Sequence, residues 1–117
     1  MTESSIEPLV FFEYDHKPGH YCLMLSDRFF GQAEAAFERC GQYGNGYAWE
    51  AVARSAIRTH APDLAERLRF DPEAGTFVAY GTDSTALKKL GRLLAHAFHD
   101  TKELERLIRA ADPDWFD

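Results

Sequence analysis

The 117-residue sequence lacks several features that define large classes of proteins. It contains no run of about 18 apolar residues, so a membrane-spanning helix is not predicted. Residues 1–7 have neither the basic start nor the apolar stretch of a signal peptide, so we expect a cytoplasmic protein. The sequence has only two cysteines, Cys22 and Cys40, and both fall within apolar patterns. We therefore expect small buried side chains rather than a disulfide.

Basic residues are also scarce. The chain has 19 acidic residues against 13 Lys and Arg residues, and its formal net charge is -6. The excess acid lies at the two ends, because residues 1–16 and 111–117 contain no Lys or Arg. Direct nucleic-acid binding is not predicted, since it requires clustered basic residues. Two interpretations of the acidic ends stay open: they keep a small domain soluble, or they attract a basic partner protein.

The residues that are present form a repeated pattern of two strands and a helix. Residues 9–14 and 20–25 are rich in β-branched and aromatic residues and flank a Lys17-Pro18-Gly19 turn, which predicts a hairpin. A helix over 30–40 is predicted next, capped by Ser26 or Asp27 and ended by Gly41. Its apolar residues recur at spacings of three and four: Phe30, Ala33, Phe37 and Cys40.

The second half repeats this order. Residues 68–70 and 76–80 flank a turn at 71–75, which predicts a second hairpin. A helix capped by Asp83 or Ser84 follows, and a last helix is predicted to open with a capping box of Asp100 and Glu103. Between the halves, a helix is predicted over 47–60, and a short one is predicted to begin at Pro62. We expect Asn45 and Gly46 to supply positive φ angles at the turn before the 47–60 helix.

These elements predict one α+β domain over residues 1–117. Its antiparallel sheet has about four strands, and helices cover one face of the sheet. Because both halves read strand, strand, helix, an internal ββα duplication is a further hypothesis. We expect a monomer or a small homo-oligomer.

No cofactor, metal site or enzyme activity is predicted. The pairs His16/His20 and His96/His99 lack further ligands, and Pro18 and Gly19 exclude a helix between the first two. The glycine-rich stretch 41–46 follows a helix and lacks the Lys-Ser or Lys-Thr of a phosphate loop. Ser84 is expected to be a helix cap, and Cys22 lies in an apolar strand that disfavours a thiolate. A small hydrolase using Glu50, Asp71 or Glu73 is an alternative, although no catalytic motif is complete.

Residues 44–53 read Gly-Asn-Gly-Tyr-Ala-Trp-Glu-Ala-Val-Ala, which resembles the signature of the immunity protein 51 family of bacterial polymorphic toxin systems. Residues 70–77, Phe-Asp-Pro-Glu-Ala-Gly-Thr-Phe, together with Tyr80, are similar to that family's second recurring stretch. The resemblance covers nearly the whole chain. It implies a small cytosolic α+β protein that is made beside a toxin and neutralises it by binding. Five residues of the first stretch are expected to be structural, with contact to the toxin as the alternative for the aromatic pair: Gly44, Asn45, Gly46, Tyr47 and Trp49.

The resemblance does not fix the class of toxin, and the acidic charge of the chain favours a nuclease. A nuclease binds a polyanion and tends to be basic, so an acidic inhibitor would be attracted to its substrate-binding surface. A protein–protein interaction module without a toxin is the alternative function.

The C-terminal residues Asp112, Asp114 and Trp115 combine an aromatic anchor with acidic charge, and we predict that they bind the toxin. The alternatives are a solvated end and a tail that docks on its own domain. Three further acids are weaker candidates for the same surface: Glu50, Asp71 and Glu73.

Overall fold

The computed structural model describes residues 6–116, in which four antiparallel strands form one sheet in the order β1-β2-β4-β3. The strands are β1 (Val10–Glu13), β2 (Tyr21–Ser26), β3 (Arg69–Phe70) and β4 (Thr76–Gly81). Both predicted hairpins are confirmed, and β2 of the first pairs with β4 of the second at the centre of the sheet. The α+β class is therefore confirmed.

Within residues 6–116, four α-helices accompany the sheet: α1 (Glu34–Arg39), α2 (Gly46–His60), α3 (Ser84–His99) and α4 (Thr101–Ala110). Short 3₁₀ helices span Asp27–Ala33, Pro62–Glu66 and Pro113–Phe116. Helices α2 and α3 pack directly on the sheet, and α4 packs against α1, α2 and α3. Among the described residues, no helix is long and apolar enough to cross a membrane.

The helix predicted over 30–40 is divided into two parts. The Ser26 side chain accepts a hydrogen bond from the Arg28 N–H (3.3 Å), as a cap should, but the chain then runs as a 3₁₀ helix until α1 begins at Glu34. Gly31 lies in the middle of this segment, and glycine disfavours the α-helix by about 1 kcal/mol relative to alanine. Gly41 has φ 75° and ends α1, as predicted.

The core lies between the sheet and the two helices that cover its inner face. Leu23 and Leu25 on β2 and Phe77 and Ala79 on β4 are fully buried there. Trp49, Val52, Leu87, Leu90 and Leu94 from α2 and α3 pack into the same cluster, and each is also fully buried. Because helices α2 and α3 both lie on this side, the sheet has one inner face and one outer face.

The predicted N-caps of α3 and α4 are confirmed in part. The N-cap of α3 is Asp83, whose carboxylate accepts from the Ala86 N–H (3.0 Å), so Ser84 is the first residue of the helix and not the cap. Asp100 caps α4 as predicted, but Glu103 does not complete a capping box. Its carboxylate instead contacts His60 (2.9 Å) at the end of α2 and Arg106. Glu103 therefore contacts His60 on α2 and does not accept from the backbone N–H of Asp100, as a capping box would require.

The repeated strand-strand-helix layout is present. In each half a hairpin is followed by a helix, and the two hairpins meet through β2 and β4. The halves differ after this helix. In the first half α1 is followed by the 15-residue helix α2, whereas in the second half α3 is followed by the 10-residue helix α4. An origin by duplication stays a hypothesis.

Candidate partner-binding surfaces

Two of the acidic residues predicted to bind a partner, Glu50 and Glu73, lie near the N-terminal end of α2, whereas Asp71 borders a cavity lined by Tyr14 and Tyr80. Asp71 and Glu73 are exposed in the turn between β3 and β4, and this turn packs on Gly46, the first residue of α2. Glu50 is one helical turn further along. Its carboxylate accepts from the Arg54 guanidinium (2.7 Å) in an i,i+4 ion pair, so its charge is locally compensated.

The predicted C-terminal residues lie near the other end of α2. Asp112 and Asp114 are exposed, and the Asp112 carboxylate accepts from the Asp114 N–H (3.0 Å). Trp115 is half-buried, with its ring centroid 4.7 Å from the Arg58 guanidinium carbon. Arg58 in turn donates to the carbonyl of Ala110. The tail therefore docks on its own domain, and its two carboxylates point to solvent.

The two acidic groups do not form one continuous patch. Glu50 and Arg58 are eight residues apart on α2, or about 12 Å along the helix axis. Arg54 lies between them, with its guanidinium carbon 5.2 Å from the Phe70 ring centroid. Two arginines and an aromatic side chain thus separate Glu50 from the tail.

The Gly44-Asn45-Gly46 stretch helps to hold the fold together at the start of α2, but not through the predicted positive φ angles. Neither Asn45 nor Gly46 has a positive φ angle. Asn45 is the N-cap of α2, and its side chain accepts from the Ala48 N–H (2.9 Å). Gly46 is required because a Cβ at this position would lie 1.8 Å from the carbonyl oxygen of Glu73. The prediction of positive φ angles was wrong because the constraint is a close approach between distant parts of the chain.

The two aromatic residues of the same stretch have different positions. Trp49 is fully buried and makes an edge contact with Phe37, with ring centroids 5.5 Å apart. Gly44 lies against the Phe37 ring, where a Cβ would come within 2.7 Å of a ring carbon. Tyr47, by contrast, is 41% exposed. Trp49 is thus part of the core, and Tyr47 lies at the surface.

The outer sheet face is apolar and carries no helix of the described chain. Cross-strand pairing places Phe12, Cys22, Tyr80 and Arg69 in one row across the four strands. A second row contains Val10, Met24 and Val78. Three of these side chains are unusually exposed for apolar or aromatic residues: Val10 (51%), Phe12 (40%) and Tyr80 (37%). We use the term outer sheet face for these seven residues.

None of these seven residues was predicted to bind a partner. The sequences of β1 and β4 nevertheless indicate that both faces of the sheet carry apolar side chains. Both strands alternate two sets of apolar side chains, and helices on one side can cover only one set. In β1, Phe11 lies on the inner face while Val10 and Phe12 lie on the outer face. The sequence does not show that the second set stays uncovered, because that depends on the sides taken by α2 and α3.

Tyr14 extends the outer sheet face past the end of β1. Its ring contacts the Phe12 ring with centroids 5.6 Å apart, and the His16 ring lies 5.9 Å from it. A hydrogen bond to the Cys22 sulfur, reinforced by burial, raises the pKa of Tyr14 to about 12. Cys22 is 3% exposed, and burial raises the pKa of its thiol even though the Tyr14 hydroxyl opposes this shift.

The two cysteines should therefore differ in reactivity toward a thiol reagent such as Ellman's reagent. Cys40 is half-buried and should react first, whereas Cys22 should react roughly tenfold or more slowly in the folded protein. Both thiols should react at once in denaturant. The control variant Cys40→Ser should lose the fast phase, and a fast phase that survives in it would contradict the buried position of Cys22.

A cavity of about 550 Å³ lies at one end of the outer sheet face. Tyr14 and Tyr80 form its aromatic wall, and Arg69 and Asp71 border it from the β3 side. The opposite side is formed by His16, Lys17 and His20 from the first hairpin turn. We call this cavity the end cleft.

The histidine pairs considered as metal ligands have other contacts. His99 Nε2 lies 2.8 Å from the carbonyl oxygen of Glu7, and His96 Nε2 lies 3.9 Å from the Asp100 carboxylate. Within residues 6–116, no group of three or more His, Cys, Asp and Glu side chains is arranged to hold a metal ion.

The family model described as Immunity protein 51 matches residues 9–113 of the chain. No curated protein and no solved structure gives a significant match. The matched range contains the whole sheet, all four α-helices, the outer sheet face and the end cleft.

Proposed function

The chain belongs to the immunity protein 51 family, and we propose that it neutralises a cognate bacterial toxin by binding it in the cytoplasm, without catalytic turnover. The single observation that carries this proposal is the family match over residues 9–113. The outer sheet face supports it, since a contiguous apolar patch on a small domain is typical of a protein-binding surface. Inhibition then follows from occupying the active or substrate-binding surface of the toxin.

The toxin that best fits the charge of this chain is a basic one, such as a nuclease. The net charge of -6 would attract it over long distances and raise the rate of encounter. Under this proposal the exposed carboxylates of Asp112 and Asp114 contribute to steering. Trp115 contributes less to toxin affinity than a free aromatic anchor would, because its ring already packs on Arg58.

Co-expression tests the proposed function directly. The toxin encoded next to this chain's gene should arrest growth when it is produced alone, and this chain should restore growth. The two proteins should also purify together as a complex. Growth arrest that persists at high levels of the chain, with no complex recovered, would contradict the proposal and favour an interaction module without a toxin.

Reversing the charge of the tail should slow association with the toxin. We expect the double variant Asp112→Lys/Asp114→Lys to associate several-fold more slowly at low salt and to show a flatter dependence of the rate on salt. The dissociation rate should change little. The melting temperature should stay close to that of the native chain because both side chains are exposed. Stopped-flow or biolayer interferometry over a series of salt concentrations measures these rates.

The matched control for this prediction is Glu34→Lys/Glu38→Lys on α1, which changes the net charge by the same amount at another exposed place. If steering is local to the tail, the control should slow association less. Native association rates in the tail variant at every salt concentration would remove Asp112 and Asp114 from the steering surface.

A further inference from the structure

We propose that the outer sheet face is the surface that holds the toxin, and that the bound toxin segment places an apolar side chain on the Phe12–Tyr80 row and a carboxylate in the end cleft. This inference rests on the proposed function, because it names the surface and the partner chemistry for the same binding activity. Of the residues predicted from the sequence to bind the toxin, only Asp71 borders the end cleft, and none belongs to the outer sheet face.

The composition of the outer sheet face matches the centre of a protein–protein interface. Its apolar rows contain two aromatic residues and a methionine and no charged side chain before the β3 edge. Interface centres are enriched in aromatic residues and Met and depleted in charge, and a polar rim surrounds them. Here the rim is formed by Arg69 and Asp71 at the β3 edge and by the turn residues of the first hairpin.

The charges at the end cleft indicate which chemistry would enter it. Register places Arg69 beside Tyr80, so its guanidinium lies at the end of the apolar row. Lys17 lines the same cleft from the opposite side. Neither cation has an ion-pair partner within 4.0 Å among residues 6–116, whereas Arg67, which also lines the cleft, is paired with Asp83 (3.1 Å). Glu66 and Asp71 also line the cleft and form no ion pair within residues 6–116. It is therefore the position of Arg69 and Lys17 beside the apolar row, and not the net charge of the cleft, that fits a partner carboxylate next to an apolar side chain.

The outer sheet face and the acidic tail would then have separate roles. The tail docks on α2, and α2 lies on the inner side of the sheet, so the tail carboxylates and the apolar rows belong to different sides of the molecule. Tail charges act at long range and affect the association rate. Contacts that are buried on docking affect mainly the dissociation rate. The two sets of variants therefore have different kinetic signatures.

The test compares variants of the outer sheet face with matched variants elsewhere, using an inactive variant of the toxin encoded by the adjacent gene as the binding probe. Phe12→Asp should weaken binding by about 30-fold or more, chiefly through faster dissociation, because it places a charge in the apolar centre. Tyr43→Ser is the control: Tyr43 is 79% exposed and lies at a different cavity, beside α1 and α2. It should bind like the native chain.

A second variant tests the end cleft without disturbing the apolar packing of the sheet. Arg69→Glu changes an exposed side chain and should weaken binding by about tenfold or more by repelling the carboxylate. The charge-matched control Lys102→Glu lies on α4, away from the sheet, and should keep native affinity. Melting temperatures of all four variants confirm that the proteins compared are folded.

The outcomes separate this inference from the proposed function. If the native chain neither binds nor inhibits the toxin, the proposed function fails and the inference fails with it. If the native chain binds and both variants of the outer sheet face bind equally well, the function stands and the inference is overturned. If light scattering shows that the free native chain is a dimer and Phe12→Asp is a monomer, a second copy covers this face, and the inference is overturned as well.

Discussion

Replacing Trp49 with alanine should destabilise the protein by about 3 to 5 kcal/mol, the range measured when large aromatic side chains are removed from a core. Trp49 is fully buried, and its ring lies 5.5 Å from that of Phe37 and 6.3 Å from that of Phe98. Its removal therefore opens a cavity where α2 meets the neighbouring helices. For a domain of this size, the loss amounts to a large part of the total stability.

One feature of Trp49 moves this expectation toward the lower end of the range. Its indole N–H is buried and has no hydrogen-bond partner in the described structure, and such a group costs about 1 to 3 kcal/mol. The variant Trp49→Phe removes the unpaired N–H and keeps an aromatic ring, so it should lose less stability than Trp49→Ala. Urea unfolding followed by circular dichroism measures both. A Trp49→Ala protein that kept native stability but lost toxin binding would place Trp49 in the interface.

Replacing Gly46 with alanine should also destabilise the fold, by about 1 to 3 kcal/mol or more. The added Cβ would lie 1.8 Å from the carbonyl oxygen of Glu73 and 2.6 Å from that of Thr76. Both are backbone atoms, so the β3–β4 turn or the start of α2 must shift to make room. This cost should exceed the gain of about 1 kcal/mol that alanine brings to a helix.

Gly31→Ala is the matched control for Gly46→Ala. Gly31 also lies in a helical segment, but a Cβ there meets no atom within 4 Å. We expect unchanged or slightly raised stability, because alanine reduces the freedom of the unfolded chain. Urea midpoints of the two variants give the comparison. Equal midpoints for Gly46→Ala and the native chain would contradict the close approach between the turn and α2.

Local sequence signals predicted most of the elements. The turn Lys17-Pro18-Gly19 and the turn at 71–75 marked both hairpins, and the spacing of apolar residues marked the positions of α2, α3 and α4. These signals depend on residues close together in the chain. The family resemblance carried by residues 44–53 was also confirmed, by a match over 9–113.

Features that depend on long-range packing could not be predicted. The role of Gly46 follows from a contact with Glu73, which is 27 residues later in the sequence. The contact of Glu103 with His60 replaced the expected capping box in the same way. The outer sheet face became recognisable only once α2 and α3 were seen on the other side of the sheet. Periodicity shows that a strand has two apolar faces, but not which of them a helix will cover.

We expect three groups of residues to have three separate roles. Trp49 and Gly46 maintain the fold, Asp112 and Asp114 attract the toxin, and the outer sheet face holds it. Stability, association rate and dissociation rate should therefore respond to different sets of variants. A single variant that changed all three would show that the fold and the binding surface are not separable.

Titration of toxin activity with the purified chain shows whether the chain neutralises the toxin by binding it. If the chain inhibits by binding, toxin activity should fall in proportion to the amount of chain added and reach zero near one chain per toxin. The inhibited fraction should not grow with time after mixing. Undiminished toxin activity at a large excess of chain, or complete inactivation by a small fraction of one equivalent that progresses with time, would contradict neutralisation by stoichiometric binding.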